Sequence, residues 1–324
     1  MVVRIGMIGC GGMAQSHMEC LAKIPDAKMV AFSDIVEERA RSCAEKYSGK
    51  YYTDFHKMIS SEALDACYIC IPPFAHKDQE LLCSKRGIPF FVEKPVALKM
   101  GKAKEVLASV QKSRVITQVG YVLRFNDAFQ KLRQALRERG GRIGLIEMLR
   151  LGGIAGDENH WWRRRELSGG QLVEQSTHQV DLARWFVGEV SSVYAKFGRQ
   201  LNRDLPNFTI EDVSTVIMKF KNGAIGTLTS SCAAQEGGGF GGFTILAKNL
   251  QILAYGDYRL IEGGKSTEFK ETVDPVLEED KHFIDCVQSG LKTAIPYSEG
   301  VKTLEVTLAA VESAKVGKEV KLPL

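Results

Sequence analysis

The chain has 324 residues, of which 44% are apolar and 25% charged, and its net charge is +4. This length suffices for two domains, and the composition is that of an ordinary globular protein. The small charge, with Arg163-Arg164-Arg165 as its one basic cluster, argues against nucleic acid as a partner. No apolar run could span a bilayer, no signal-peptide pattern opens the chain, and the eight cysteines are scattered. We therefore expect a cytoplasmic protein with free thiols and no membrane partner.

The first element in the chain is an apolar run at Val2–Ile8, which predicts a buried strand. Glycines follow it, and a helical segment covers about Met13–Lys23. Strand, glycine turn and helix form the context that a dinucleotide-binding fingerprint requires. Gly9 would allow the tight turn, and Gly11 would let the backbone approach a pyrophosphate at the start of the helix. The candidate cofactor contacts in this loop are Gly9, Gly11, Gly12 and Met13.

A second predicted strand, Lys28–Ser33, ends at Asp34, about 20 residues past the glycine loop. A carboxylate at this point accepts hydrogen bonds from an adenosine ribose and repels a 2′-phosphate, which favours NAD over NADP. Asp34 could also serve as the N-cap of the predicted helix Val36–Tyr47. Arg39 and Arg41 keep NADP open, since an arginine nearby can accept the phosphate.

Strands and helices continue to alternate up to about residue 121. The predicted strands are Ala66–Ile71, Pro89–Val92 and Val115–Tyr121, and the predicted helices are a short one from Thr53-Asp54, then Ala75–Arg86 and Lys99–Lys112. This alternation predicts a doubly wound parallel sheet, in which ligands bind beyond the carboxyl ends of the strands. Four strand ends therefore matter, namely those at Gly9, Asp34, Pro72-Pro73 and Glu93-Lys94-Pro95.

Beyond about Leu123 the pattern changes to a helix at Phe125–Arg137 followed mainly by strands. The predicted strands are Leu145–Leu151, Val190–Phe197, Val213–Phe220, Ala224–Cys232, Phe243–Lys248 and Gln251–Tyr255, with a mobile glycine loop at Gly237–Gly242 and closing helices near Glu279–Gln288 and Ser298–Lys315. Many consecutive strands predict a large, mainly antiparallel sheet with helices on one face. The other face would be free for a partner subunit.

Glu93-Lys94-Pro95 is the first candidate for chemistry. It can be read as a solvent-facing loop pair with a turn proline. At the cofactor edge of the sheet, however, a cation could hydrogen-bond a substrate hydroxyl and stabilise the alkoxide that develops as hydride leaves.

The second candidate is a predicted helix that starts at Ser168 or the glycines after it and continues through Phe186. Glu174 and His178 are four residues apart and would share one helical face, with Asp181 close to the same stripe. A histidine flanked by two carboxylates has the parts of an oriented general acid–base.

Two other interpretations of this helix stay open. The Glu174/His178 pair could be an exposed salt-bridge cluster. It could also bind a metal with His160, but a second spaced ligand pair is missing, so we predict no metal. Trp161-Trp162, with polar neighbours, could stack on a sugar face or belong to the core.

These segments together resemble the glucose-fructose oxidoreductase / inositol dehydrogenase / rhizopine-catabolism (Gfo/Idh/MocA) family over nearly the whole chain. The resemblance rests on Gly9-Cys10-Gly11-Gly12-Met13-Ala14, Pro72-Pro73-Phe74-Ala75-His76, Glu93-Lys94-Pro95, Tyr121-Val122-Leu123-Arg124-Phe125, and Gly169-Gly170 through His178 to Asp181. The chain departs from the family pattern at Gln171, where a third glycine is common, and at Glu174, where inositol dehydrogenases usually have aspartate.

The resemblance implies a Rossmann domain at 1–122, followed at 123–324 by an α/β domain with an open sheet that binds substrate and forms a homodimer or homotetramer. The implied catalytic residues are Lys94, His178 and Glu174, with Asp181 supporting the histidine. The implied cofactor contacts are Gly9, Gly11, Gly12, Met13, Asp34, Pro72, His76, Glu93 and Lys94. The implied substrate contacts are Arg124, Trp161, Trp162, Glu174 and His178.

The predicted function is NAD-dependent hydride transfer at a hydroxyl carbon of a sugar, cyclitol or related polyol. Two alternatives remain at this stage. One is the redox-assisted glycoside cleavage that some members of the family perform, and the other is a non-catalytic NAD-binding sensor.

Overall fold

A computed structural model describes all 324 residues of the chain. The strands are β1 Val3–Ile8, β2 Ala27–Ser33, β3 Lys50–Tyr52, β4 Ala66–Ile69, β5 Phe90–Val92, β6 Thr117–Val119, β7 Ile143–Leu151, β8 Val190–Gly198, β9 Val213–Phe220, β10 Ile225–Ser231, β11 Phe240–Ala247, β12 Leu250–Tyr255, β13 Asp257–Glu262, β14 Lys265–Phe269 and β15 Val320–Lys321. The helices are α1 Gly12–Leu21, α2 Glu37–Tyr47, α3 Phe55–Ser61, α4 Gln79–Arg86, α5 Met100–Ser113, α6 Asp127–Arg139, α7 Arg165–Ser168, α8 Gln171–Glu174, α9 Thr177–Val187, α10 Pro275–Ser289 and α11 Tyr297–Val316. None of the helices combines the length and the apolar character needed to span a bilayer.

Two compact units divide the chain. The first unit contains Met1–Val122 and Val273–Val301, and the second contains Leu123–Thr272 and Lys302–Leu324. This division differs from the predicted continuous second domain 123–324, because α10 returns to the first unit. Phe283 and Ile284 of α10 are fully buried in the core of that unit, which explains why the segment folds there.

The first unit is built on a parallel sheet of six strands in the order β3-β2-β1-β4-β5-β6. This is the order of doubly wound dinucleotide-binding sheets, and it confirms the predicted fold class of the N-terminal part. The central strands β1 and β4 are apolar and almost wholly buried, as expected for strands with helices on both faces. Strand β3 was not predicted.

The second unit contains a sheet of nine strands in the order β14-β13-β12-β11-β7-β10-β9-β8-β15. All neighbouring pairs are antiparallel except β7 and β10, so the predicted, mainly antiparallel sheet is confirmed. Buried and more exposed residues alternate along β9 and β10, which places one face of the sheet on the core.

The opposite face of this sheet presents apolar side chains. Leu145 of β7 pairs in register with Ile225 of β10 on one side and with Leu246 of β11 on the other. The residues Ile225 and Leu246 are 52% and 40% exposed. These three residues form one patch across three adjacent strands, which we call the outer-face cluster.

Three details of the second unit differ from the prediction. Strands β13, β14 and β15 were missed. The predicted glycine loop at Gly237–Gly242 ends earlier, because β11 already begins at Phe240. The predicted single helix from Ser168 through Phe186 is also wrong, since the chain forms three short helices there, α7, α8 and α9.

Candidate active site

The glycine loop joins β1 to α1 as predicted. Gly9 has a φ of +92°, and a Cβ atom built on it would lie 2.2 Å from the carbonyl oxygen of Cys70, so only glycine fits. Gly11 is the N-cap of α1, and a Cβ atom built on it or on Gly12 meets no atom within 4 Å. Gly9 therefore serves the fold, while Gly11 and Gly12 leave the backbone at the helix start open to a phosphate group.

Asp34 lies directly after β2 and binds the glycine loop. Its Oδ2 accepts the backbone N–H of Cys10 at 2.8 Å, and its Oδ1 accepts that of Val36 at 2.8 Å. The N-cap of α2 is Val36, so Asp34 organises the loop before the helix without being its cap. The carboxylate is thus held beside the glycine loop, where the predicted ribose contact requires it.

Pro72 and His76 follow β4 and flank a short 3₁₀ helix, Pro73–Ala75. Pro72 is half-buried. The His76 side chain is 3% exposed, and its Nδ1 is hydrogen-bonded to Glu80. The imidazole of His76 is therefore engaged within the first unit, and its contact with a cofactor stays a prediction.

Glu93 and Lys94 directly follow β5, and the structure does not support the solvent-facing interpretation of this pair. Glu93 is 7% exposed, and its backbone N–H donates to the carbonyl of Ile69 at 3.0 Å. Its Oε2 accepts the backbone N–H of Lys94 at 3.1 Å. The side chain of Lys94 is half-buried. A buried carboxylate thus shapes the turn that presents the lysine.

Glu174 and His178 lie on either side of a break between α8 and α9. Glu174 is the last residue of α8, and His178 is the second residue of α9. The break forms because the Gln171 amide donates to the Ser176 hydroxyl at 3.0 Å and the Ser176 N–H donates to the Gln171 carbonyl. The prediction that Glu174 and His178 share one helical face is therefore wrong. Both side chains are half-buried.

Trp162 holds Glu174. Its indole Nε1 donates to Glu174 Oε2 at 2.7 Å, and its side chain is fully buried with Phe208 and Ile210. A substrate therefore cannot stack on Trp162, which corrects its predicted role. Trp161 is half-buried beside it, so its predicted contact with substrate remains open.

Arg124 and Asp181 form a buried pair in the second unit. Arg124 Nε and Nη2 donate to the two carboxylate oxygens of Asp181 at 2.7 and 2.6 Å, and the Thr303 hydroxyl donates to one of them at 3.1 Å. Burial raises the pKa of Asp181, and the charge of Arg124 opposes that effect. Arg124 is 7% exposed and its guanidinium is bound by Asp181. The contact of Arg124 with substrate and the support of His178 by Asp181 therefore stay predictions.

Glu211 was missed by the sequence reasoning. It is 2% exposed, and its Oε1 accepts the backbone N–H of Leu172 at the start of α8 at 2.8 Å. A Cβ atom on Gly170 would lie 2.6 Å from Glu211 Oε2. Gly170 is therefore required because the carboxylate of Glu211 packs against it. Glu211 lies 39 residues after Leu172, and the sequence around Gly170 contains no signal for this contact.

Comparison with known proteins decides the family. Residues 3–121 match the family model described as an oxidoreductase family with an NAD-binding Rossmann fold, and residues 129–253 match the GFO/IDH/MocA C-terminal domain. The chain belongs to the Gfo/Idh/MocA family. It is accordingly an NAD-dependent dehydrogenase. The contacts of Gly9, Gly11 and Asp34 with this cofactor stay predictions.

Relatives in the family align over the whole chain. The myo-inositol 2-dehydrogenase of Thermotoga maritima is 30% identical over 99% of this chain and 98% of its own length. The scyllo-inositol 2-dehydrogenase (NAD(+)) of Bacillus subtilis is 28% identical over 99% and 96%. A solved levoglucosan dehydrogenase in complex with NADH and levoglucosan superposes with a TM-score of 0.92 at 18% identity, covering 100% of both chains, which shows the shared fold.

Proposed function

We propose that the chain oxidises a ring hydroxyl of a cyclitol or closely related sugar, with NAD as the cofactor. The observation that carries this proposal is the pair of half-buried side chains at the family's motif positions, Lys94 after β5 and His178 at the start of α9. The names of the two inositol dehydrogenases that align over the full length support a cyclitol as substrate.

Each of three side chains has a separate role in the proposed chemistry. Lys94 donates a hydrogen bond to the substrate oxygen and stabilises the alkoxide. His178 accepts the hydroxyl proton as the general base. Bound NAD supplies the acceptor for the hydride that leaves the hydroxyl carbon as the carbonyl forms. Glu174 accepts hydrogen bonds from neighbouring substrate hydroxyls, and the indole of Trp162 fixes its orientation.

The proposed cofactor contacts start at the glycine loop and continue along the same edge of the parallel sheet. We propose that the backbone at Gly11, Gly12 and Met13 binds the pyrophosphate and that Asp34 binds the adenosine ribose. Pro72, His76 and Glu93 belong to the turns after β4 and β5, at the same edge of the parallel sheet. We assign these three residues to the nicotinamide side of the cofactor.

A second copy of the chain is the proposed partner of the outer-face cluster. The cluster of Leu145, Ile225 and Leu246 is apolar and lies across adjacent strands, as in sheets that bury one face on another subunit. Ile225→Glu should reduce the apparent mass measured by light scattering after gel filtration. Leu201→Glu, which changes an apolar residue 67% exposed outside the sheet, should not. Equal masses would contradict this assignment.

The proposed location is the cytoplasm. All eight cysteines are free and buried. Unpaired thiols in this number are typical of a reducing compartment.

A panel of cyclitols and sugars tests the proposed substrate class. myo-Inositol, scyllo-inositol, levoglucosan and common pyranoses are each incubated with NAD, with NADP run in parallel, and the reduced cofactor is followed by absorbance. We expect turnover with at least one cyclitol and a preference for NAD. Absence of turnover with every cyclitol and sugar of the panel would reject the proposal.

The same panel separates the two alternatives. Release of an aglycone from aryl glycosides without accumulation of NADH would indicate redox-assisted cleavage. Tight binding of NADH with no turnover of any compound would indicate a sensor. The dehydrogenase names of the full-length relatives favour net oxidation over both.

A further inference from the structure

A buried group of three charged side chains lies beneath the turn that contains Lys94. His17 of α1 is 1% exposed, and its Nε2 is 3.0 Å from Oε1 of Glu93. Its Nδ1 is 2.8 Å from Oδ1 of Asp280 on α10, a residue 263 positions away in the sequence. Glu93 is 7% exposed and Asp280 is fully buried. We call His17, Glu93 and Asp280 the ion triplet.

The geometry fits a charged imidazole between two carboxylates. Carboxylates accept hydrogen bonds, and both ring nitrogens of a histidine can donate only in the imidazolium form. Burial acts to lower the pKa of His17, but attraction and hydrogen bonding from Asp280 and Glu93 outweigh it and raise this pKa well above 6.5. The ring also packs edge-on against Phe91, with centroids 4.8 Å apart, which limits its rotation.

Glu93 is confined from two further directions. A Cβ atom built on Gly120, just after β6, would lie 2.8 Å from Glu93 Oε1 and 3.1 Å from Oε2, so the carboxylate packs directly on the backbone there. Its Oε2 also accepts the backbone N–H of Lys94 at 3.1 Å. Any displacement of the carboxylate is therefore passed to the backbone of the proposed catalytic lysine.

We propose that His17, held by Asp280, is a positioning residue that fixes the Glu93 carboxylate and through it the backbone at Lys94. The inference rests on the proposed role of Lys94. It also gives the returning segment Val273–Val301 a function, because α10 supplies one of the two carboxylates that raise the pKa of His17.

A matched pair of variants on α10 tests this proposal. Asp280→Asn preserves side-chain size and removes the counter-charge. Ile284→Val removes one methyl group from a fully buried residue one turn along the same helix, which lowers stability modestly and leaves the ion triplet intact. Both variants should lower the thermal unfolding midpoint. Only Asp280→Asn should lower kcat, by about 10- to 100-fold, with little change in the KM for NAD.

Gly120→Ala approaches the same carboxylate from the other side. The added methyl group displaces the buried carboxylate of Glu93 and leaves the His17–Asp280 contact in place. We expect a loss of kcat accompanied by a lower thermal unfolding midpoint. Equal kcat values for Asp280→Asn and Ile284→Val, or full activity in Gly120→Ala, would overturn the positioning role.

The ring protons of His17 give a readout that needs no turnover. The chain has six histidines, and their ring nitrogens can be observed by NMR after ¹⁵N-histidine labelling, with His17 assigned through His17→Gln. At about pH 8, where an ordinary histidine is neutral, we expect both ring nitrogens of His17 to be protonated, and only one in Asp280→Asn. A neutral His17 in the wild type would overturn the proposal. Failure of the proposed role of Lys94 is recognised separately, because Lys94→Ala would then retain wild-type turnover whatever the protonation of His17.

Discussion

The indole N–H of Trp162 donates to the carboxylate of Glu174 across 2.7 Å, and the donor is fully buried while the acceptor is half-buried. Trp162, which follows Trp161 in the sequence, thus orients the carboxylate of Glu174. Burial lowers the pKa of the nearby Arg150, and the charge of Glu174 opposes that effect, so the two charges interact as well. The orientation of Glu174 therefore depends on residues from outside its own helix.

Trp162→Phe removes this donor and preserves an aromatic ring in the core. Hydrogen bonds to charged groups contribute about 1.5–3 kcal/mol, so kcat/KM for the polyol should fall by about 10- to 100-fold. Steady-state kinetics measure the effect. Trp185→Phe is the control, since Trp185 lies on α9 and packs under the guanidinium of Arg133 from α6. Similar values of kcat/KM for the two variants would contradict the proposal that Trp162 orients Glu174.

Gly9 and Gly11 should respond differently to alanine. Gly9→Ala places a methyl group against the Cys70 carbonyl at a positive φ, so the free energy of unfolding should fall by at least about 2 kcal/mol. Gly11→Ala meets no protein atom and should leave stability unchanged while weakening NADH binding about tenfold or more. Thermal unfolding and fluorescence titration with NADH distinguish the two. Unchanged NADH affinity in Gly11→Ala would place the pyrophosphate elsewhere.

Asp34→Asn should relax the preference for NAD. The substitution preserves an acceptor for the Cys10 N–H and removes the charge that repels a 2′-phosphate. We expect the ratio of kcat/KM for NAD to that for NADP to fall about tenfold. Glu45→Gln, an exposed change further along α2, is the control and should leave the ratio unaltered. A ratio that stays constant in Asp34→Asn would contradict the ribose contact.

The ion triplet also predicts how stability depends on pH. The folded-state pKa of His17 lies well above 6.5, so its contribution is complete below that pH and is lost as pH rises towards the folded-state value. Between about pH 6.5 and 9 the free energy of unfolding should decline by at most about 1.4 kcal/mol per pH unit from this group. Urea denaturation at several pH values should show a shallower decline in Asp280→Asn. Parallel declines in the two proteins would mean that His17 does not titrate as expected.

The parallel sheet and its cofactor edge could be predicted because their signals are local. Apolar runs, a glycine turn and Asp34 all lie within about 30 residues of one another, and their spacing reflects the geometry of the βαβ unit. The turn at Glu93-Lys94-Pro95 followed from the same rule, since parallel strands end at one edge.

The parts that could not be predicted depend on contacts between distant residues. The break after Glu174 requires a hydrogen bond between Gln171 and Ser176 and the approach of Glu211 to Gly170. The helical pattern of the sequence continues across this break without interruption. The buried pairing of Arg124 with Asp181 spans 57 residues, and that of His17 with Asp280 spans 263. In each pair a charged residue is bound by a partner that only the fold brings to it, and in the sequence Arg124 suggests a substrate contact instead.

The central claim is that Lys94 and His178 perform the chemistry on a ring hydroxyl. The most direct measurement compares kcat for an inositol oxidised by the wild type with that of Lys94→Ala, His178→Ala and the control Lys99→Ala, which changes an exposed lysine five residues from Lys94. We expect each of the first two variants to lose about 100-fold or more in kcat while binding NADH, and Lys99→Ala to match the wild type. Wild-type turnover in Lys94→Ala or His178→Ala would contradict the claim.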